Sequence, residues 1–178
     1  MGALNVLRTL LQHLPTRLEG LPRDRVLRKP APDRWSPQEE LGHLLDSAAN
    51  NHQRIVRTQL EDKPAMPGYD GDRWVALHRY QQRDWRELIA LWRALNEQLL
   101  AAATAVPESG WRRTCTIAGS APVTLAFVFE DYLHHMVHHL RHIGVELDDL
   151  LSSLPALRGA WKSWPEGKPP LQAPAQER

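Results

Sequence analysis

Apolar side chains recur along this chain at helical intervals. Leu4, Leu7, Leu11, Leu14 and Leu18 step by three and four residues and form one stripe of an amphipathic helix. Gly20 and Pro22 predict its end, because one relaxes the backbone and the other removes an N–H. His13 falls off the stripe and is expected in solvent. Residues 21–35 hold three prolines and scattered charge and read as a connection. The clearest helix start follows. Ser36 is placed to cap, Pro37 sits where a missing N–H costs nothing, and Glu39 completes a capping box. This helix should run to about Leu60 with Leu41, Leu44, Leu45, Ala48 and Ile55 facing the core. Beside them runs a polar row, Glu40, His43, Ser47, Asn51 and Arg54. Spacing alone favours a solvated flank for that row.

Residues 61–72 carry two prolines and two glycines and predict a loop. A short helix with Trp74, Leu77 and His78 should follow, with His78 and His52 on mixed faces. Trp85, Leu88, Ile89, Trp92, Leu95, Leu99 and Ala103 then mark a third long helix, about 82–104. Pro107 to Pro122 is the least helical stretch, and Thr114, Thr116 and Ile117 before Gly119-Ser120 suggest a short strand or hairpin. Thr124 caps a fourth long helix, with Val123 and Val128 as a hydrophobic staple, expected to reach Leu151. Leu154 to Trp164 reads as a short docked segment, and the four prolines from Pro165 onward predict a disordered tail. The expected fold class is all-α: a four-helix bundle over residues 1–151 with an irregular loop before its last helix. Residues 152–178 form the docked segment and Pro-rich tail.

Composition narrows the function classes. The 22 basic and 21 acidic residues leave a net charge of +1, so no basic footprint argues for nucleic acid. Cys115 is the single cysteine, which excludes an internal disulfide framework or a cysteine zinc cluster. No run of about 18 apolar residues suggests a membrane span, and the N-terminal residues carry no export signal, so a soluble cytoplasmic protein is expected. Seven tryptophans against two phenylalanines predict large rings in helix contacts or lining a pocket, with core packing expected for most.

Five of the nine histidines fall between His134 and His142, in the fourth long helix. Helical residues turn by about 100° each. On that rule Leu125, Phe129, Tyr132, Met136, Leu140, Ile143 and Leu147 cluster within roughly 40° of one direction, the core face. His139 lies about 60° and His135 about 100° from its centre, on the same side. His134 and His138 point away, and His142 is intermediate. Side chains four apart on a helix stand about 5–6 Å apart at Cβ, so the imidazoles of His135 and His139 can converge on one divalent ion. A third ligand must come from another helix, and His43 on the polar row is the best placed. Three protein ligands with a position left open is the pattern of catalytic zinc sites. The run lacks the H-E-x-x-H of zincins, so a metalloprotease helix is not supported.

Trp35-Ser-Pro-Gln-Glu-Glu-Leu-Gly-His43-Leu-Leu-Asp-Ser47 resembles the second-helix signature of the DinB/YfiT-like superfamily. Tyr132-Leu-His-His135-Met-Val-His-His139-Leu-Arg-His-Ile143 is similar to its last-helix signature, and Tyr69 through Trp85 is similar to one branch of it. The resemblance spans about residues 4–150. It implies a four-helix bundle, often a homodimer, with a three-histidine site for a divalent metal such as nickel or zinc. Carried over by position, the metal ligands are His43, His135 and His139. His142 departs from the motif, which more often has glutamine there.

The expected function is a metal-dependent hydrolase acting on a small-molecule substrate, with Glu40, Asp46 or Ser47 as candidates to orient ligands or shuttle protons. Spacing singles out no catalytic residue. The alternatives are metal-dependent transfer of a low-molecular-weight thiol, or a non-catalytic metal-binding stress-related dimer whose outward His134 and His138 serve assembly. Haem ligation has less support, since no attachment motif is present.

Overall fold

The computed structural model describes residues 2–152, with side chains through Leu150. Four long helices dominate: α1 (Gly2–Glu19), α3 (Pro37–Leu60), α5 (Trp85–Thr104) and α6 (Leu125–Ile143). Short helices α2 (Arg23–Leu27), α4 (Gly71–His78) and α7 (Asp148–Ser152) join or follow them. The four long helices form a bundle in which α1 and α3 each pack against both α5 and α6. Walking around the bundle therefore gives the order α1, α5, α3, α6. Leucines 7, 10, 14 and 18 of α1, Leu41 and Leu44 of α3, Trp92 and Leu99 of α5, and Met136 and Leu140 of α6 are fully buried in this core. Among the described residues no helix is long and apolar enough to cross a membrane.

Local chemistry sets the ends of α3. Ser36 Oγ accepts from the Glu39 amide and the Glu39 carboxylate accepts from the Ser36 amide, the capping box expected from sequence. One turn in, Gly42 lies against the Tyr80 ring, where an added Cβ would sit 2.1 Å from ring carbons. That close approach seats the 3₁₀ turn Tyr80–Gln82 on α3 and lets Gln38 Nε2 donate to the Tyr80 carbonyl at 2.7 Å.

Three expectations need correction. Helix α6 does not run to Leu151: it stops at Ile143 on Gly144, whose φ of +80° is the left-handed cap conformation glycine adopts without strain. The Val145 amide returns to the Leu140 carbonyl, and Arg25 of α2 donates to the Gly144 carbonyl at 2.7 Å. The chain then turns into α7, held to α1 by Arg17 on both oxygens of Asp149. The connection at 21–35 contains α2, and the loop at 61–72 contributes β1 (Ala65–Met66). That strand pairs in parallel with β2 (Thr114–Ile117), which pairs antiparallel with β3 (Val123–Thr124). The strand expected around Thr114 is thus the centre of a small three-stranded sheet. The expected docked segment at 154–164 and the tail beyond lie outside the described residues.

Candidate metal centre

Helices α3 and α6 run antiparallel through the centre of the site, since Glu40 meets His139 and His142 while Ser47, two turns later, meets His135. The polar row on α3 is not a solvated flank. Glu40, His43, Ser47, Asn51 and Arg54 are all buried, none more than 7% exposed. The reason is architectural. Packing against both α5 and α6 covers two sides of α3, so residues bordering the apolar stripe still face another helix.

His43, His135 and His139 are buried together, and one ring nitrogen from each lies within 4.8 Å of the others. His43 Nε2 stands 3.0 Å from His135 Nε2. The opposite nitrogens of the two α6 histidines are engaged elsewhere: His135 Nδ1 with Ser47 Oγ at 3.1 Å, and His139 Nδ1 with Glu40 Oε2 at 2.5 Å. Glu40 Oε1 also takes His142 Nδ1 at 3.2 Å. Asp46, the third candidate partner, turns away and accepts from the Tyr80 hydroxyl at 2.6 Å, with His78 Nδ1 3.0 Å from that carboxylate.

Electrostatics reinforce this geometry. Burial pushes the Glu40 carboxyl up, but hydrogen bonds from His139 and His142 outweigh it and hold the group down to about 2. An ionised carboxylate only accepts, so the proton of a neutral His139 ring is fixed on Nδ1 and a lone pair is left on Nε2. Burial, with the neighbouring His139, lowers His43 to about 3 and drives His135 well below its ordinary value. These rings are neutral at physiological pH, the form that donates to a metal. His43 Nδ1 is buried with no hydrogen-bond partner among the described residues.

The remaining histidines divide differently from the helical-wheel reading. His138 is exposed, as expected, and the His142 side chain is 40% exposed at the border. His134 is not outward: it is buried at 5% exposure. Every residue from Asp131 to Val137 is buried, because α6 contacts α1, α3, β3 and the 3₁₀ turn at Glu108–Arg112. His13 is exposed.

Aromatic walls around the site were not singled out from spacing. The Trp35 ring lies 4.7 Å from that of His43 and 6.1 Å from that of His139. The Tyr69 ring stands 6.1 Å from that of His43. The first residue of α4 closes in further, since a Cβ on Gly71 would lie 3.0 Å from His43 Cε1. The available signal was positional: Trp35 immediately precedes the α3 cap and Tyr69 immediately precedes the α4 cap, Asp70.

A family profile described as the DinB superfamily matches residues 7–143. The chain belongs to the DinB superfamily. Among its relatives, a protein of Oceanobacillus iheyensis provisionally named a metal-dependent hydrolase is 21% identical over 65% of this chain and 66% of its own length. A second from that organism, with the same provisional name, is 26% identical over 61% and 63%. Bacillus subtilis YfiT, provisionally named likewise, is 26% identical over 61% and 62%. The match thus spans just under two thirds of each of these curated relatives. The solved structure of YfiT, described as a probable metal-dependent hydrolase with an unusual four-helix bundle topology, superposes with a TM-score of 0.73. The two share 22% identity over 84% of this DinB-superfamily chain and 86% of YfiT, which establishes the fold.

Proposed function

We propose that this protein is a metal-dependent hydrolase whose ion is held by His43, His135 and His139. One observation carries the reading: three buried imidazoles turn a ring nitrogen toward one another while Glu40 and Ser47 occupy the far nitrogens of two. Histidines that merely filled a core would not need an ionised carboxylate to fix a ring nitrogen, and metal-ligating histidines commonly have such a partner. The donor set fits a divalent ion of zinc or nickel type, and the curated relatives' names favour hydrolysis. A bound ion would supply Lewis acidity toward an electrophilic group of a small-molecule substrate.

The chain's own residues do the rest. Glu40 holds the Nδ1 proton of His139 and, through its other oxygen, orients His142 toward the protein edge. Ser47 fixes the His135 ring. Trp35 and Tyr69 lie close to His43 and offer aromatic faces to a substrate.

Protein purified without a histidine tag should carry, or take up on titration, about one zinc or nickel per chain by elemental analysis. His135→Ala and His139→Ala should lose it while keeping their helical circular dichroism. The hydrolase half requires chelator-sensitive turnover of activated esters or amides by the loaded protein and none by His139→Ala. A folded wild type that takes up no metal overturns the reading.

A further inference from the structure

The polar row continues past the histidines. Asn51 Nδ2 donates to the Ser47 carbonyl at 2.9 Å and lies 3.3 Å from Ser47 Oγ, and Arg54 Nη1 donates to Asn51 Oδ1 at 3.2 Å. A hydrogen-bonded chain thus runs from His135 through Ser47 and Asn51 to a guanidinium that is only 6% exposed. Arginine has five donor hydrogens in a rigid fork and keeps its charge. Here Asn51 is its one hydrogen-bond partner among the described residues, and no carboxylate pairs with it there.

The neighbouring acid, Asp131, balances this charge only in part. Asp131 of α6 lies one turn before His135 and is 7% exposed, and its Oδ1 has no hydrogen-bond partner among the described residues. Burial raises its carboxyl to about 7 despite the nearby Arg54. A buried cation without a counter-charge is costly, and proteins normally pair it. No Arg54 nitrogen is among the side-chain atoms that are both sealed from solvent and unpartnered, so its free donors retain some access. Tyr69 lies within electrostatic reach of Arg54, and its ring lies 6.1 Å from that of His43.

We propose that Arg54, with Asn51 and Tyr69 beside it, is an anion subsite that binds a carboxylate of the small-molecule substrate. The position of the substrate's reactive end rests on the metal centre proposed above, but the anion contact does not. Seven helical steps, a rise of about 10 Å, separate Arg54 from Ser47, the partner of His135, so a substrate held at both ends is an extended one with its carboxylate away from the metal centre. The planar guanidinium fork matches a carboxylate with two parallel N–H···O bonds.

The test is calorimetric titration of metal-free protein with succinate, its neutral analogue succinamide, and inorganic phosphate, alongside zinc uptake by each variant. Succinate should bind at least about tenfold more tightly than succinamide, and Arg54→Gln should erase that preference. Asp131→Asn removes the competing carboxyl and should tighten succinate several-fold, which carries the test if Arg54→Gln does not fold. Equal binding of succinate and succinamide, succinate affinity unchanged in Arg54→Gln, or no gain in Asp131→Asn overturns the subsite. Tighter binding of phosphate than of succinate overturns the carboxylate assignment. Zinc uptake with no Arg54-dependent succinate binding sinks the subsite alone. Arg54-dependent succinate binding without zinc uptake sinks the metal centre alone.

Discussion

Glu40 engages two histidines at once, one at the centre of the candidate site and one at its edge, so its charge does more than balance the site. Glu40→Gln keeps the shape but replaces an acceptor-only group with one that also donates, which releases the Nδ1 proton from its fixed place. We expect zinc affinity to fall about 10–100-fold by calorimetry with helical content unchanged. An unaltered affinity would remove Glu40 from the site. Asp131 is a second residue with a sharp expectation. Its carboxyl sits near 7 when folded against an ordinary 3.8, so between these values the folded chain binds more protons than the unfolded one. Stability therefore drops as pH rises through that window, and the penalty is complete above it. Asp131→Asn should be more stable than wild type at alkaline pH, by up to about 4 kcal/mol, and the two denaturation curves should converge near pH 4. A constant difference across pH would refute the account. At this scale the sequence was informative where periodicity could act. His135 and His139 were legible as the inward pair because their angles share one side of the core face. His134 was misread because a helical wheel assumes one covered face, and α6 is covered on several. His43 came from motif resemblance, since spacing cannot say whether a flank is buried.

Elements were legible where a residue has one physical role. The start of α3 could be read letter by letter, and Ser36 is both cap and buried partner of Gln81, at 2.5 Å. Ser36→Ala should cost about 1–2 kcal/mol, seen as a lower denaturant midpoint with an unchanged slope. Gly42 shows a constraint that no local pattern displays: it is helical, with no need for glycine until Tyr80 arrives from 38 residues downstream. Gly42→Ala must push the Tyr80 ring aside, breaking its bond to Asp46 and the seat of the 3₁₀ turn. A loss of at least about 2 kcal/mol is expected, and full stability would mean that the turn moves freely. The end of α6 was misplaced because Leu147 and Leu150 continue its apolar period after Gly144 has already turned the chain. Helix α2, with five residues, and β1, with two, are too short to carry any period.

At the scale of the whole molecule, the bundle was legible from four apolar stripes, but its neighbours were not. Sequence order alone does not say that α1 and α3 each lie between α5 and α6, and that arrangement brings His43 to His135 across 92 positions of chain. The candidate site is therefore a tertiary object. An unfolded chain keeps only the pair His135 and His139, one turn apart, and loses His43, Glu40 and Ser47 from their sides. An ion that prefers the folded triad stabilises the fold by mass action, about 4 kcal/mol at a thousandfold excess over the dissociation constant. In a chain of this size each kcal/mol shifts the melting temperature by roughly 2–4 °C, so saturating zinc should raise it by about 10 °C. The informative variant is His43→Ala. If the ion is held across two helices, removing His43 abolishes most of the shift, as His139→Ala does. If the α6 pair binds alone, His43→Ala melts with the same zinc-induced rise as wild type, and the three-histidine reading fails.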